Sequence, residues 1–302
     1  MRARWAEVPT HLFLPLGLVE TRQYELQSRA FPLFADLDFS GLASIPVKIY
    51  PPKPEHCLHF CLTGVIHIRY EGETAQTFSK PVLVGQQTRP FERATESRIL
   101  NFQIVFQPGA IKQLLDIPAT ELTNKHVDAV SAFGPDVDLL RRKLEDASSY
   151  AAMLASAESF VHAIKMKMHK RSRSLEPAIK MLKSGLNRID NVASELCLST
   201  KQFKRVFIDA VGVNPKTFQR IIRFNKAYNF RNRFPSTDWL TIALHCGYYD
   251  YTHLVKDYKD LTGMTPNEFH ALEQSSPEGI LGLALDLYRS RFDGNDQLLF
   301  SR

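Results

Sequence analysis

The chain has 302 residues, 44% of them hydrophobic, enough apolar content for two cored domains. Four cysteines exclude a disulfide-stapled scaffold, and no apolar run is long enough to span a membrane, so a cytoplasmic setting is expected. The net charge of +6 is unevenly spread: residues 1–160 carry −2, residues 161–274 carry +9 and residues 275–302 carry −1, which points to a polyanionic partner for the middle segment.

Residues 1–50 show little periodicity. Aromatic residues scattered among Pro9, Pro15, Pro32 and Pro46 predict an irregular arm with short strands and one helix near 33–37. The early run HLFLPLGLV is short, contains Pro15 and lacks a small-residue cleavage site, so it does not read as a signal peptide. From 47 to 107 the pattern is that of strands. Residues 47–50 form a short run closed by Pro51-Pro52, and residues 58–62 and 65–70 flank Thr63-Gly64 as a tight hairpin. Further strands are expected at 81–84 and 97–107. Several short strands with turn signals predict a sandwich or small barrel, whose interior either holds a small ligand or is filled by its own side chains. Cys57 and Cys61, with His56, His59 and His67, make a loose metal or nucleophile pattern, but no second CxxC accompanies it. Pro108-Gly109 ends the β pattern. Helices are expected at 110–116, 136–147 and 150–169, the last with Met153, Leu154, Ala157, Phe160, Val161 and Ile164 as an apolar stripe for its own domain or for a dimer seam.

A basic stretch with Ser172 and Ser174 marks a domain boundary, and a helix at 176–184 follows, with Gly185 as its C′ residue. Residues 188–212 then read as two short helices joined by a turn. Val192, Ala193 and Leu196 share one face of the first. Phe203, Val206 and Phe207 recur at i, i+3, i+4 on the second, and Ser199 is its N-cap. Lys201, Gln202, Lys204 and Arg205 form the polar face, the equipment of a helix that lies in a DNA major groove. Pro215 opens a long helix to about 230, with Phe218, Ile221, Ile222 and Tyr228 as its apolar stripe; Arg220, Arg223 and Lys226 lie off the stripe and are candidate phosphate contacts. Residues 238–258 repeat the paired design. Leu240, Ile242 and Ala243 lead to a break at Gly247, and a second helix follows from about Asp250. Leu254, Tyr258 and Leu261 face inward, while Tyr251, Thr252, His253, Val255 and Lys256 are the groove-facing set. Gly212-Val213-Asn214-Pro215 is echoed by Gly263-Met264-Thr265-Pro266. Two such units on one long helix would let a single chain read two adjacent major grooves, about 34 Å apart. Cys197 and Cys246 are expected as small buried thiols inside the short helices. The tail from 275 has mixed apolar spacing, and either docks as a helix or frays.

The stretches VASELCLSTKQFKRVFIDAVGVNPKTF and IALHCGYYDYTHLVKDYKDLTGMTPNEF resemble the DNA-binding domain of the AraC/XylS family. Phe203, Arg205, Phe207, Gly212 and Pro215 stand at the first motif's positions, and Ile242, Ala243, Gly247, Tyr248, Leu254, Lys259, Gly263, Pro266 and Phe269 at the second's. The resemblance implies a seven-helix domain over 175–272 and a sequence-specific transcription regulator, usually an activator, with RNA polymerase as a partner in that case. It implies base reading by Lys201, Lys204 and Arg205 on the first unit and by Tyr251, Thr252, Val255 and Lys256 on the second. Val255 can meet a thymine methyl but donates no hydrogen bond, so the second unit is the less well equipped. LVGQQTRP and FQPGAIKQLLDIPATELTN look like the cupin-like sensing domain of one AraC subgroup. The expected class is α+β: a cupin-like β-barrel or sandwich with helices over 1–160, a basic linker at 161–174, the all-α domain with two helix-turn-helix motifs over 175–272, and a tail at 273–302. Double-stranded DNA is the expected partner, with no cofactor and no membrane. A small-molecule effector and a homodimer both remain open for the N-terminal domain. The competing reading is a DNA-associated enzyme or metal-dependent sensor that uses Cys57, Cys61 and the nearby histidines.

Overall fold

In the computed structural model, which describes residues 31–38, 47–95, 98–166, 175–184 and 188–275, the strands form two antiparallel sheets. The first has the order β1 (Phe31–Asp38), β8 (Arg98–Phe106), β3 (His56–Thr63), β6 (Val82–Val84) and β9 (His126–Asp128). The second has the order β2 (Lys48–Tyr50), β7 (Phe91–Thr95), β4 (Ile66–Arg69) and β5 (Gln76–Phe78). Alternation decides which face each strand turns inward. Leu58 and Phe60 of β3 stand opposite Ile104 and Phe102 of β8, and all four are buried against the helical layer. His59 and Cys61, on the other face of β3, line the gap between the sheets with Ile66, Ile68 and Phe78. The cavity left there is about 10 Å³, room for about one water.

Four helices cover the outer face of the first sheet: α1 (Ala110–Leu115), α2 (Ala129–Phe133), α3 (Asp136–Glu145) and α4 (Tyr150–Met166). Val137, Leu140 and Leu144 of α3 and Met153, Ala157, Phe160 and Ile164 of α4 recur at helical spacing and join the sheet's core. The α4 stripe packs within its own domain.

Three expectations are corrected here. Residues 33–37 are not a helix but part of β1, which pairs along β8 from Phe31↔Val105 to Asp38↔Arg98. β1 is an edge strand, where Pro32 is tolerated because no second neighbour needs its missing N–H. Thr63-Gly64 does not close a hairpin. A register shift between Cys61 and Thr63 interrupts the β3–β8 ladder, Gly64 adopts φ 84°, and the chain crosses to the other sheet, where β4 pairs with β5 and β7. The linker does not begin at 161, because the buried Phe160 and Ile164 carry α4 to Met166. Residues 167–174, Gly185 and the tail from 276 lie outside the described residues.

The C-terminal part holds seven helices among the described residues: α5 (Glu176–Ser184), α6 (Ile189–Glu195), α7 (Thr200–Val211), α8 (Pro215–Arg233), α9 (Trp239–His245), α10 (Tyr251–Thr262) and α11 (Pro266–Gln274). They pack around two cores. Phe203, Phe207 and Val211 of α7 meet Ile179, Leu182, Val192 and Ala193 in the first; Leu254, Tyr258 and Leu261 of α10 meet Ile242, Ala243 and Phe269 in the second. α8 belongs to both: Phe218 and Ile222 enter the first core, and Ile221, Phe224, Ala227 and Tyr228 the second. α11 runs to Gln274, with Glu273 buried.

The two domains meet along a seam that touches both cores. Thr123 donates its hydroxyl to the carbonyl of Gly212 (2.9 Å), at the end of α7. Lys112 of α1 lies 3.5 Å from Asp209 of α7. Asn225, in the middle of α8, donates to the carbonyl of Pro52 (2.9 Å). Lys48 of β2 lies 3.6 Å from Glu273 of α11, with both side chains under a tenth exposed, and Tyr228 donates its hydroxyl to the same carboxylate. Removing one partner of such a buried pair leaves the other charge uncompensated, which costs more than the intact pair contributes.

Gly212 and Gly263 end their helices in the left-handed region, at φ 89° and 77°. A Cβ on Gly263 meets open space, whereas one on Gly212 would sit 2.5 Å from the Thr123 hydroxyl and 2.8 Å from the Ala119 carbonyl oxygen. Gly263→Ala is therefore expected to cost about 1–2 kcal/mol, the left-handed backbone alone. Gly212→Ala should cost at least about 1 kcal/mol more, because backbone must shift. Urea unfolding of both variants checks this; equal costs would mean that the seam does not close in solution.

Candidate nucleic-acid interface

Each recognition helix is held at its N-terminus by a side-chain cap. At α7, Ser199 accepts from the backbone N–H of Gln202 (3.2 Å), and the Gln202 amide oxygen accepts in return from the Ser199 N–H (3.0 Å). This is a reciprocal capping box, which satisfies donors that the first turn would otherwise leave free. At α10, Asp250 accepts from the N–H of His253 (2.9 Å) and contacts its ring Nδ1 (3.0 Å). These hydrogen bonds hold the Asp250 carboxyl below the usual carboxylate range, the backbone N–H of His253 having the largest effect.

The Gly-x-x-Pro repeat has a local cause. Gly212 and Gly263 leave their helices with positive φ. Two residues on, Asn214 and Thr265 cap the next helix, accepting from Thr217 N–H (2.9 Å) and Glu268 N–H (3.4 Å). Pro215 and Pro266 then occupy the first turn, where no N–H is missed. The turn inside each unit is built alike: Leu198 and Tyr248 donate their N–H to the carbonyls of Ala193 and Ala243. The left-handed residue of that turn is Gly247 in the second unit (φ 82°) but Cys197 in the first (φ 53°). Cys197 is thus not a buried helical thiol: it is exposed in the turn, and Cys246 is a half-buried C-cap. Because an L side chain is strained in that region, Cys197→Gly should stabilise the domain by up to about 1 kcal/mol, net of glycine's entropy cost. A raised urea midpoint at unchanged slope is the expected reading.

Lys201, Gln202, Lys204 and Arg205 are all exposed on α7, opposite the buried Phe203 and Phe207. Of the four, Gln202 has its amide oxygen engaged in the cap. On α10, Tyr251, Thr252, His253 and Lys256 are exposed and Val255 is half-buried. His253 leans on Asp250, and Tyr249, just before the helix and 86% exposed, adds an aromatic ring 6.0 Å from the His253 ring. Sequence reasoning missed Tyr249, which carries no periodic signal.

Arg220 and Arg223 sit differently. Arg220 donates from Nε to Asp257 (2.8 Å) and from Nη2 to Asp260 (2.5 Å), and Arg223 donates to the other Asp257 oxygen (2.9 Å). The Arg223 guanidinium also stacks 4.3 Å over the Tyr248 ring. Both arginines are about one third exposed, and Asp257 is buried at 6%. They join α8 to α10.

A family model described as a helix-turn-helix domain matches residues 192–271, which include both units. That match gives residues 192–271 as a helix-turn-helix domain, in the stretch whose motifs resemble the AraC/XylS family. A model described as a domain of unknown function, DUF6597, matches residues 47–128, from β2 to β9. No curated protein sequence matches. Among solved structures, the chain is similar to ToxT from Vibrio cholerae O395 at 10% identity and TM-score 0.45, over 82% of this chain and 98% of that one. It is similar to an unsaturated fatty acid bound ToxT from Vibrio cholerae strain SCE256 at 13% identity and TM-score 0.43, over 81% and 95%. A third likeness, at 24% identity and TM-score 0.31, is to an AraC-type transcriptional regulator from Chromobacterium violaceum, over 34% of this chain and 93% of that one.

Two of the β3 candidates have partners of their own, whereas both ring nitrogens of the buried His56 find none among the described residues. His59 Nε2 meets the Asn101 amide oxygen (3.2 Å), and the Cys61 thiol donates to the carbonyls of Thr63 (3.3 Å) and Gly64 (3.2 Å). His67 lies on β4 and pairs with the Thr77 hydroxyl (3.0 Å). Among the described residues no three His, Cys, Asp or Glu side chains stand together as a metal site. No helix of the described residues is long and apolar enough to cross a membrane.

Burial drives three histidines of the N-terminal domain toward neutrality. His56 is pushed down to about 4, His59 to about 3 with help from the Arg93 charge, and His126 to about 4. Each titrates at an ordinary 6.5 when unfolded, so below that pH the unfolded chain binds more protons and stability falls. The stabilisation is complete above about pH 6.5 and is lost progressively as the pH drops toward 4. Urea midpoints measured from pH 7.5 to 4.5 should decline through this window, and His126→Gln should make the decline shallower.

Proposed function

We propose that the chain is a sequence-specific transcription regulator that lays α7 and α10 into two successive major grooves of double-stranded DNA and acts as an activator. The observation that carries this reading is the pair of capped helices with exposed polar faces, held by one long helix, α8, shared between their cores. Lys201, Lys204 and Arg205 read bases from α7, with Arg205 on guanine. From α10, Thr252 and Lys256 donate, Val255 meets a thymine methyl, and Tyr251 and Tyr249 pack against sugar or base edges. Gln202 and His253 hold the helix starts and present their remaining polar atoms to the backbone phosphates. As an activator the chain would contact RNA polymerase. The N-terminal domain regulates by binding a small-molecule effector or by pairing two copies. The small interior cavity favours an effector only if the sheets move apart on binding.

Selection from a random duplex pool with poly-anion competitor tests the reading. The full chain should enrich a motif with two blocks about one helical turn apart. Arg205→Ala should weaken binding to that motif by about 1–3 kcal/mol and relax preference at one base of the first block. Unchanged affinity and preference in Arg205→Ala would remove α7 from the groove. For the N-terminal domain, a small molecule that binds only the native state must raise the melting temperature, so a thermal-shift screen reads effector binding directly.

A further inference from the structure

The two recognition helices are anchored by different physics. Counting back from the shared Gly-x-x-Pro, Asp257 and Asp260 of α10 stand where α7 has Val206 and Asp209. Val206 is half-buried against the first core, and Asp209 faces Lys112 of the N-terminal domain. In the second unit the same two positions face Arg220 and Arg223 of α8. Both pairs are spaced i, i+3, so two arginines one turn apart meet two aspartates one turn apart. Asp257 spends one carboxylate oxygen on each arginine and is almost wholly buried. Tyr248, in the turn that leads to α10, lies under the Arg223 guanidinium. The turn, the recognition helix and the long helix are therefore pinned at the buried Asp257, about 100° around α10 from Lys256.

We infer that Asp257, with Arg220 and Arg223, is a clamp that fixes the angle of α10 on α8 and so sets which bases the second unit reads. The two arginines are positioning residues, not phosphate contacts. Planar guanidiniums suit this role, because each offers donors in a fixed fork and resists rotation once two are engaged. The inference rests on the proposal that α10 enters a groove.

The test uses full-length wild type, Arg220→Gln, Asp257→Asn and Asp257→Glu, each on the duplex that wild type selects. Base preference is measured separately in the two blocks, and affinity is measured against salt. A clamp predicts that Arg220→Gln and Asp257→Asn bind ~10-fold more weakly and blur the second block, the size of one mismatched base pair, while the first block stays sharp. It also predicts an unchanged salt slope, and partial recovery of the second block in Asp257→Glu. A slope less steep by ~0.9 in Arg220→Gln, with the second block still sharp, would make Arg220 a phosphate contact and overturn the clamp. Wild-type preference and affinity in Asp257→Asn would overturn it as well. If Asp257→Asn does not fold, as read by circular dichroism, Arg220→Gln decides, since it leaves Asp257 paired with Arg223. A wild type that selects no motif would overturn the groove assignment itself, an outcome distinct from a clamp that fails on an established motif.

Discussion

One helix shared between two cores sets the geometry of the C-terminal domain. α8 places Phe218 and Ile222 in one core and Ile221, Phe224, Ala227 and Tyr228 in the other, so neither helix-turn-helix unit can rotate without disturbing side chains on this single rod. An α-helix rises 1.5 Å per residue, and the 19 residues of α8 span about 28 Å. That is close to one turn of B-DNA, about 34 Å. How the two helix-turn-helix units are joined is thus set by this helix and by how its apolar residues divide between the cores. The stripe changes cores between Ile221 and Ile222, neighbours about 100° apart around the axis, which is why a single helix can face two directions.

How far the fold could be read from the sequence depended on whether the deciding contact was local. The caps, the Gly-x-x-Pro turns and the helical stripes are set within four residues, and they were legible. The Ser199 cap, the long helix from Pro215 and the buried Phe203 and Phe207 follow from spacing alone. Strand positions were legible too, but not their partners. Periodicity says which residues of β3 share a face; it does not say that β4 joins the other sheet, because the bulge at Cys61–Thr63 is defined by a partner strand some forty residues away. Residues 33–37 failed for the same reason, since β1 becomes a strand by pairing with β8.

The candidate site divides along the same line. Exposure of Lys201, Lys204 and Arg205 follows from the helical period around two phenylalanines. The fate of Arg220 and Arg223 does not, because their aspartates lie 34 to 40 residues further along the chain. A basic residue off an apolar stripe looks the same in sequence whether it faces phosphate or a buried carboxylate. Cys197 is a milder case: the turn that needs a left-handed residue was placed, but in the second unit Gly247 announces it, whereas in the first a cysteine carries the strain.

The domain seam adds a constraint that neither domain has alone. Its contacts fall at the end of α7, in the middle of α8 and at the end of α11, so they reach both cores. The elements on the other side are the Ala119–Thr123 turn and the segment from Lys48 to Pro52, which Gln86 links through hydrogen bonds to Asn124 and Lys53. If that domain moves as a rigid body away from one helix-turn-helix unit, it must also break or strain its contacts with the other. The terms are not equal. Thr123–Gly212 is one neutral hydrogen bond, worth about 1 kcal/mol, whereas opening Lys48–Glu273 strands a charge in a nearly dry site unless water follows. The seam thus holds a buried charge pair at β2 and α11, and at α7 a neutral hydrogen bond, the more exposed Lys112–Asp209 pair and close packing around Gly212.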